Sequence, residues 1–565
     1  MGILDFFFGK SKDYSYIKKQ YKKNNRLETI PQNTFPVKCL NGTFVGKEEE
    51  NIISYKGIPF AKPPIKNLRW KPPVECDNSN DIFEAYSFQK SSVQTKCEGE
   101  IASNYEIGED CLYLNIWKNN DNEKNKPVMV FIHGGAFGWG GTSDPIYDGH
   151  NFVKTHKDII FVTIAYRVGI LGFIDLTQFK GGENYKESPN LGLLDQIQAL
   201  KWINKNIENF GGDKNNITIV GESAGALSVT VLPLIKEAKG LIKRIISQSG
   251  SFAWAIPRDG GKILIDKIKA EIKKEKKEEI DMNYLLNLSE EEIINLNNRV
   301  DYYSYSPMRD GYIIPEDCYG EVEKGAYNGI DIMIGSNADE IRYFIVEYNN
   351  SYFLFNLAFG FLLENVLYYR IKKNGYEIYN KFKEIVKENV KDNFLNDLYF
   401  RIPALKIAQL HSKNNGNTYL YYWKYPSSIP YFGACHAIEL AYVFNNLHID
   451  EFIGTKNINY KLAEVSQNMW ANFAKNGNPS TKDCKWEKFD EKNNYCMVLG
   501  QEAELKTNLF NKERNELLLP LLDQYISYNY KDLSYNVPMV RKAIIIFLTL
   551  FVIIISILLN KYLIK

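Results

Sequence analysis

Net charge is nearly absent from this 565-residue chain: 69 lysines and arginines meet 68 aspartates and glutamates, leaving a formal charge of +1. That balance excludes the basic footprint by which proteins hold nucleic acid, and it offers no pull toward a strongly acidic partner. The eight cysteines, Cys39, Cys76, Cys97, Cys111, Cys318, Cys435, Cys484 and Cys496, contain no C-x-x-C spacing. No zinc site, and no other metal or cofactor, is therefore expected. Internal repeats are lacking too, which excludes a solenoid. A good export signal is missing, because Met1 to Phe8 is a short apolar stretch broken by Asp5 and followed by lysines. Phe6 stands where a myristoylation pattern wants Ser or Thr. What remains, 45% hydrophobic and 14% aromatic residues, fits a globular protein with a sizeable core.

One long apolar run breaks the pattern. Residues 543–559 are 17 positions without a charge, bracketed by Arg541, Lys542 and Lys561. As a helix they would span about 26 Å, enough for a thin bilayer such as that of the endoplasmic reticulum. Only six residues follow the run, so membrane insertion is expected after synthesis ends. The expectation is a single-pass tail anchor at 543–559, preceded by a linker at 526–542. The rest of the chain would lie on the cytosolic face. Residues 1–34 read as a basic arm, solvated rather than lipid-binding, with Tyr interleaved among the lysines between Lys10 and Lys23.

Between these ends, short apolar runs alternate with helical segments. Residues 128–132, 159–164, 217–220, 245–246, 330–334 and 418–423 read as interior strands, and 192–204 and 377–390 as helices. Such alternation predicts an α/β fold on a mostly parallel sheet flanked by helices. The charged stretch 263–300 reads as a surface excursion of the same domain.

Chemistry enters at Gly221-Glu222-Ser223-Ala224-Gly225, directly after the run at 217–220. A strand, a small-residue turn around Ser and then helix-compatible sequence is the setting of a nucleophile elbow, whose flanking glycines let the chain pass close to itself. A nucleophilic Ser needs a base, an acid to orient that base, and donors for the oxyanion. Of six histidines, only His411, His436 and His448 follow Ser223. His411 falls in a helical run, whereas His436 sits in the small-residue loop Gly433-Ala-Cys-His-Ala after the strand at 418–423. The acid is expected from Asp339 or Glu340, just past the strand at 330–334. Loops at the C-terminal ends of parallel strands are where such sites gather. His133-Gly134-Gly135 follows the strand at 128–132, so the N–H groups of Gly134, Gly135 and Ala224 are expected to hold the oxyanion.

These motifs, with Gly57-Ile-Pro-Phe-Ala-Lys-Pro-Pro64, Leu68-Arg-Trp70, Glu109-Asp-Cys-Leu-Tyr-Leu-Asn115, Tyr166-Arg-Val-Gly-Ile-Leu-Gly-Phe173, Asn190-Leu-Gly-Leu-Leu-Asp-Gln196 and Phe210-Gly-Gly-Asp213, make the chain resemble the type-B carboxylesterase and cholinesterase family. The resemblance runs from about residue 35 to about 525. It implies one α/β-hydrolase domain and ester hydrolysis through an acyl-enzyme. It also implies a Ser223–His436–Glu340 triad, choosing Glu340 over Asp339. Glu222 and Tyr303 are carried as substrate-binding positions.

Departures from the family pattern add two expectations. Secreted members bridge the Cys matching Cys111 to a partner whose nearest match here is Ser92, with Cys97 as an improvised substitute. Ile402 stands where many members carry another bridging Cys. Lost bridges suit a reducing compartment. Cholinesterases hold quaternary ammonium on a Trp upstream of this motif, and residues 97–110 contain none. An uncharged, largely apolar small-molecule or lipid ester is expected instead of a choline ester. Cys435 reads as a small loop residue rather than a modifiable thiol. The same family includes neuroligin-like adhesion proteins without a working serine, which is the competing expectation.

Overall fold

The structure, a computed structural model, describes residues 15–95, 104–274, 280–300, 305–346 and 374–522, with isolated positions between 360 and 367 and Thr549. Eleven segments form the body of one large sheet. They are β1 (Gly42–Glu49), β2 (Ile52–Pro59), β3 (Tyr113–Asn119), β4 (Lys126–Ile132), β5 (Ile160–Ile164), β6 (Gly212–Glu222), β7 (Arg244–Gln248), β8 (Asp331–Asn337), β9 (Thr418–Trp423), β10 (Cys496–Leu499) and β11 (Ala503–Lys506). Their spatial order is β1-β2-β3-β5-β4-β6-β7-β8-β9-β10-β11. Pairing from β5 through β10 is parallel. Antiparallel strands close both sides.

All six runs expected as interior strands lie in this sheet. Buried on both faces, they need apolar side chains at consecutive positions, and Val128, Met129, Val130 and Ile132 have no exposed surface. Helices α1 (Leu191–Asn206), α2 (Ala224–Val231), α4 (Ile402–Lys413) and α6 (Tyr460–Asn476) pack on the sheet. Shorter α3 (Glu340–Val346) and α5 (Ile438–Val443) follow two of the loops at its C-terminal edge. Two buried ion pairs from the family motifs tie one loop to another and a loop to α1. Arg69 holds Glu109 through two bonds of 2.6 Å, and Arg167 holds Asp195 at 2.7 and 2.8 Å.

Three expectations change. The helix expected at 377–390 spans Gly375–Ile385 and stops, because Val386 is extended and Asn389, at φ 44°, is left-handed. A separate helix then starts at Val390. The stretch at 263–300 is less peripheral than its charge suggests: Leu264, Ile265, Ile268 and Ile272 form a stripe at helical spacing that is buried in the main core. The arm at 1–34 is solvated at Lys22 and Lys23 but not at Tyr21, which is 7% exposed. Among the described residues no helix is long and apolar enough to cross a membrane. The expected linker and the span at 543–559, apart from Thr549, lie outside the described residues.

Candidate active site

At the end of β6, Ser223 adopts φ 57° and ψ −119°, a strained conformation for any residue with a side chain. Its N–H donates to the Gln248 carbonyl at 2.9 Å, which fixes the turn to β7. The flanking glycines explain how the turn closes. A methyl group on Gly221 would lie 2.2 Å from the Gly225 carbonyl oxygen, and one on Gly225 would lie 2.0 Å from that of Ile132. No side chain fits at either position. The half-buried Ser223 therefore tops a turn pressed onto the end of β4.

Acid and base arrive from distant loops. Glu340 opens α3 and is fully buried; one carboxylate oxygen accepts the Asn337 N–H at 2.6 Å, and the other meets His436 Nδ1 at 2.6 Å. With Nδ1–H donated to Glu340, the imidazole presents Nε2 as its acceptor. That Nε2 makes no hydrogen bond and lies 3.1 Å from Glu222 Oε1, itself unpartnered. Asp339 does other work: it accepts the Ala434 N–H at 2.9 Å and pairs with Arg342 at 3.1 Å, bracing the loop before His436. Of the two acids left open by the bare sequence, the structure brings Glu340 to the imidazole.

A third carboxylate stands behind the pair. Buried Glu439 accepts from Asn337 Nδ2 at 2.6 Å and from Gln248 Nε2 at 3.1 Å, and Trp470 holds Gln248 from the far side at 3.1 Å. Burial, then the charge of Glu340, pushes Glu439 up to about 7 against these hydrogen bonds. Burial likewise pushes Glu222 up to about 8; the His436 charge pulls it down, while Glu439 and Glu340 push it further up. Burial opposes a charged imidazole, but Glu222, Glu340 and Glu439 outweigh it and lift His436 to about 9. A proton on Glu222 removes part of that lift, so the two groups titrate as a linked pair.

The expected oxyanion donors sit beside the elbow. A methyl group on Gly134 would lie 3.1 Å from Ser223 Cβ and 2.8 Å from Glu222 Oε2. Among the described residues, the N–H groups of Gly134, Gly135 and Ala224 donate to no carbonyl or side chain. His133 supports them: its ring stacks on Tyr166 at 4.4 Å, and the Tyr166 hydroxyl donates to its carbonyl at 2.8 Å. Burial lowers His133 to about 4, so this imidazole stays neutral.

Sequence reasoning missed the wall around the base. Phe344 and Phe400 lie 5.0 and 5.3 Å from the His436 ring, and Trp254 meets Phe400 edge-on at 5.2 Å. In a chain with 14% aromatics, isolated Phe and Trp residues carry no local signal. Tyr303 lies outside the described residues. His411 packs in the core against Thr418 at 2.8 Å, away from Ser223's loop cluster. Cys435 is buried and its thiol is pushed well up by burial and by Glu340, consistent with a packing residue. Cys111 is a free, buried thiol, and the Ser92 hydroxyl accepts the Val168 N–H at 3.2 Å. Cys97 lies outside the described residues.

A strained serine elbow on a mostly parallel sheet, with a buried acid–imidazole pair at the same edge, defines a serine hydrolase of the α/β-hydrolase class. The family model described as Carboxylesterase family matches residues 33–517, and the chain belongs to that family. It is 31% identical over 497 residues to the para-nitrobenzyl esterase of Bacillus subtilis, covering 84% of this chain and 97% of that one. Liver carboxylesterase 1 of Oryctolagus cuniculus is 30% identical over 525 residues, with 84% and 90% covered. Among solved structures, a thermophilic PNB esterase superposes with a TM-score of 0.75 at 28% identity, covering 86% of this chain and 99% of its own. A carboxylesterase of Geobacillus stearothermophilus gives 0.74 at 31% identity, with 85% and 99% covered. The protein is thus a carboxylic ester hydrolase.

Proposed function

We propose that the protein hydrolyses uncharged, largely apolar carboxylic esters through an acyl-enzyme on Ser223. The observation that carries this reading is the 2.6 Å contact from His436 Nδ1 to buried Glu340, which leaves Nε2 without a hydrogen bond at the loop edge that carries Ser223. Ser223 Oγ attacks the ester carbonyl carbon while His436 Nε2 takes the hydroxyl proton. The carbonyl π pair becomes an oxyanion held by the N–H groups of Gly134, Gly135 and Ala224. Its collapse expels the alkoxide, which leaves with the proton from His436. Water, deprotonated by His436, then repeats the attack and releases the acid. Glu340 fixes the imidazole and balances its transient charge.

Phe344, Phe400 and Trp254 support an apolar substrate, since they set apolar rings around the base. Lipid esters belong to this class, because an anchor at 543–559 would hold the domain at a bilayer on the cytosolic face of the endoplasmic reticulum. Hydrolysis of short-chain p-nitrophenyl esters, abolished in Ser223→Ala, is the expected result. Hydrolysis that survives Ser223→Ala defeats the mechanism, and an inactive wild-type chain favours the silent adhesion reading. Protease digestion of intact microsomes tests the anchor separately: the domain should be cleaved, and full protection would put it in the lumen.

A further inference from the structure

The family's shared region begins at residue 33, yet a residue ahead of it packs onto the segment behind the oxyanion glycines. Tyr21 is buried, and its phenol hydrogen-bonds the hydroxyl of Ser143 and, at 3.4 Å, that of Ser91. The arm is seated there by more than one contact. Tyr21 bridges to Phe88, Asn24 caps the N–H groups of Tyr86 and Ser87 at 3.2 Å each, and Asn24 donates to the Lys56 carbonyl at 2.8 Å.

From Tyr21 the contacts run straight to the oxyanion glycines. Ser91 presses on Gly141, where a methyl group would meet its Oγ at 2.3 Å. Gln94, on the same segment, clamps Gly140 from both sides, accepting its N–H at 2.8 Å and donating to its carbonyl at 2.9 Å. A methyl group on Gly140 would lie 2.5 Å from His133 Nδ1 and 2.7 Å from the Gly134 carbonyl oxygen. The segment 140–144 thus lies between Tyr21 and the loop that carries Gly134 and Gly135. Burial pushes Tyr21 up to about 12, so its hydroxyl keeps its proton.

We propose that Tyr21 is a positioning residue for the oxyanion loop, supplied by an N-terminal arm outside the region shared with the family. The inference rests on the reading of Gly134 and Gly135 as oxyanion donors. A donor loop shifted by a fraction of an ångström binds the ground-state ester almost as well but loses its hold on the developing charge. The loss should therefore fall on kcat rather than KM.

The test uses the full chain with Tyr21→Phe, which keeps the buried ring and removes only the hydroxyl. Turnover of a short-chain p-nitrophenyl ester should fall roughly tenfold with KM within about twofold, a fraction of the loss seen when a whole oxyanion donor is removed. Affinity for a trifluoromethyl ketone should fall by the same factor. There Ser223 Oγ bonds the ketone carbon, the carbonyl π pair becomes the alkoxide that the loop must hold, and the proton passes to His436. Ser143→Ala should reproduce the loss, and the double variant should lose no more. An unchanged kcat, a fall not shared by ketone binding, or additive single losses each overturn the proposal. Ser223→Ala separates the two readings. Hydrolysis that survives it defeats the active-site assignment, whereas a dead Ser223→Ala beside a fully active Tyr21→Phe defeats only the role of Tyr21.

Discussion

The elbow at Gly221–Gly225 and the loop at Gly433–Ala437 meet at one edge of the sheet but are built on opposite principles. The elbow is a backbone device. Its shape comes from missing side chains, strained φ at Ser223 and carbonyls within 2.2 Å of where a methyl would stand. The His436 loop is a charge device, held by Asp339 at Ala434 and by Glu340 at the imidazole. One half should break by added volume, the other by removed charge.

The largest effect is expected from Glu340→Gln, an isosteric change that leaves volume alone. It should lower kcat about 10⁴-fold by upsetting the tautomer of His436, with folding intact by circular dichroism. A loss below tenfold would assign the acid elsewhere. Next, Gly225→Ala should cost about 3 kcal/mol of stability in a denaturant titration, because its methyl meets the Ile132 carbonyl. An unshifted midpoint would show that the elbow yields to volume. Glu222→Gln should move the acid limb of kcat/KM to lower pH by at least about one unit. The sign follows from the charges: Glu222 helps lift His436 to about 9, the base works only when neutral, and removing that carboxylate lets it deprotonate earlier. A limb that stays in place, or moves up, refutes the linkage. Smallest is Asp339→Asn, expected to cost about 1 kcal/mol of stability and less than tenfold in kcat, since it braces the loop without touching the imidazole.

Legibility in the sequence follows the same division. The elbow and the six interior strands could be read because their causes are local: β-branched apolar runs and glycines a few positions apart. Glu340 and His436 could be placed by chain order after strands, although choosing between Asp339 and Glu340 took family resemblance. The contact from Glu222 to His436, the Glu439 layer and the wall of Trp254, Phe344 and Phe400 arise only when distant loops meet. The helix Arg258–Lys273 begins ahead of the charged stretch at 263–300, where Gly260 and Gly261 oppose helix propensity. Tertiary packing explains Gly261: a methyl there would lie 2.0 Å from Met308 Cε. Tyr21 was hidden among lysines, where composition signals solvent and a single buried ring leaves no periodicity.

The three carboxylates around one imidazole also bear on how a catalytic cycle ends. An ester arrives neutral, but its acyl half departs as an anion from a site backed by the buried carboxyl groups of Glu222, Glu340 and Glu439. As pH climbs past about 7 and then about 8, Glu439 and Glu222 surrender their protons and their charge opposes that anion more strongly. Inhibition by a product carboxylate should accordingly weaken across the neutral range, measurable as a rising inhibition constant.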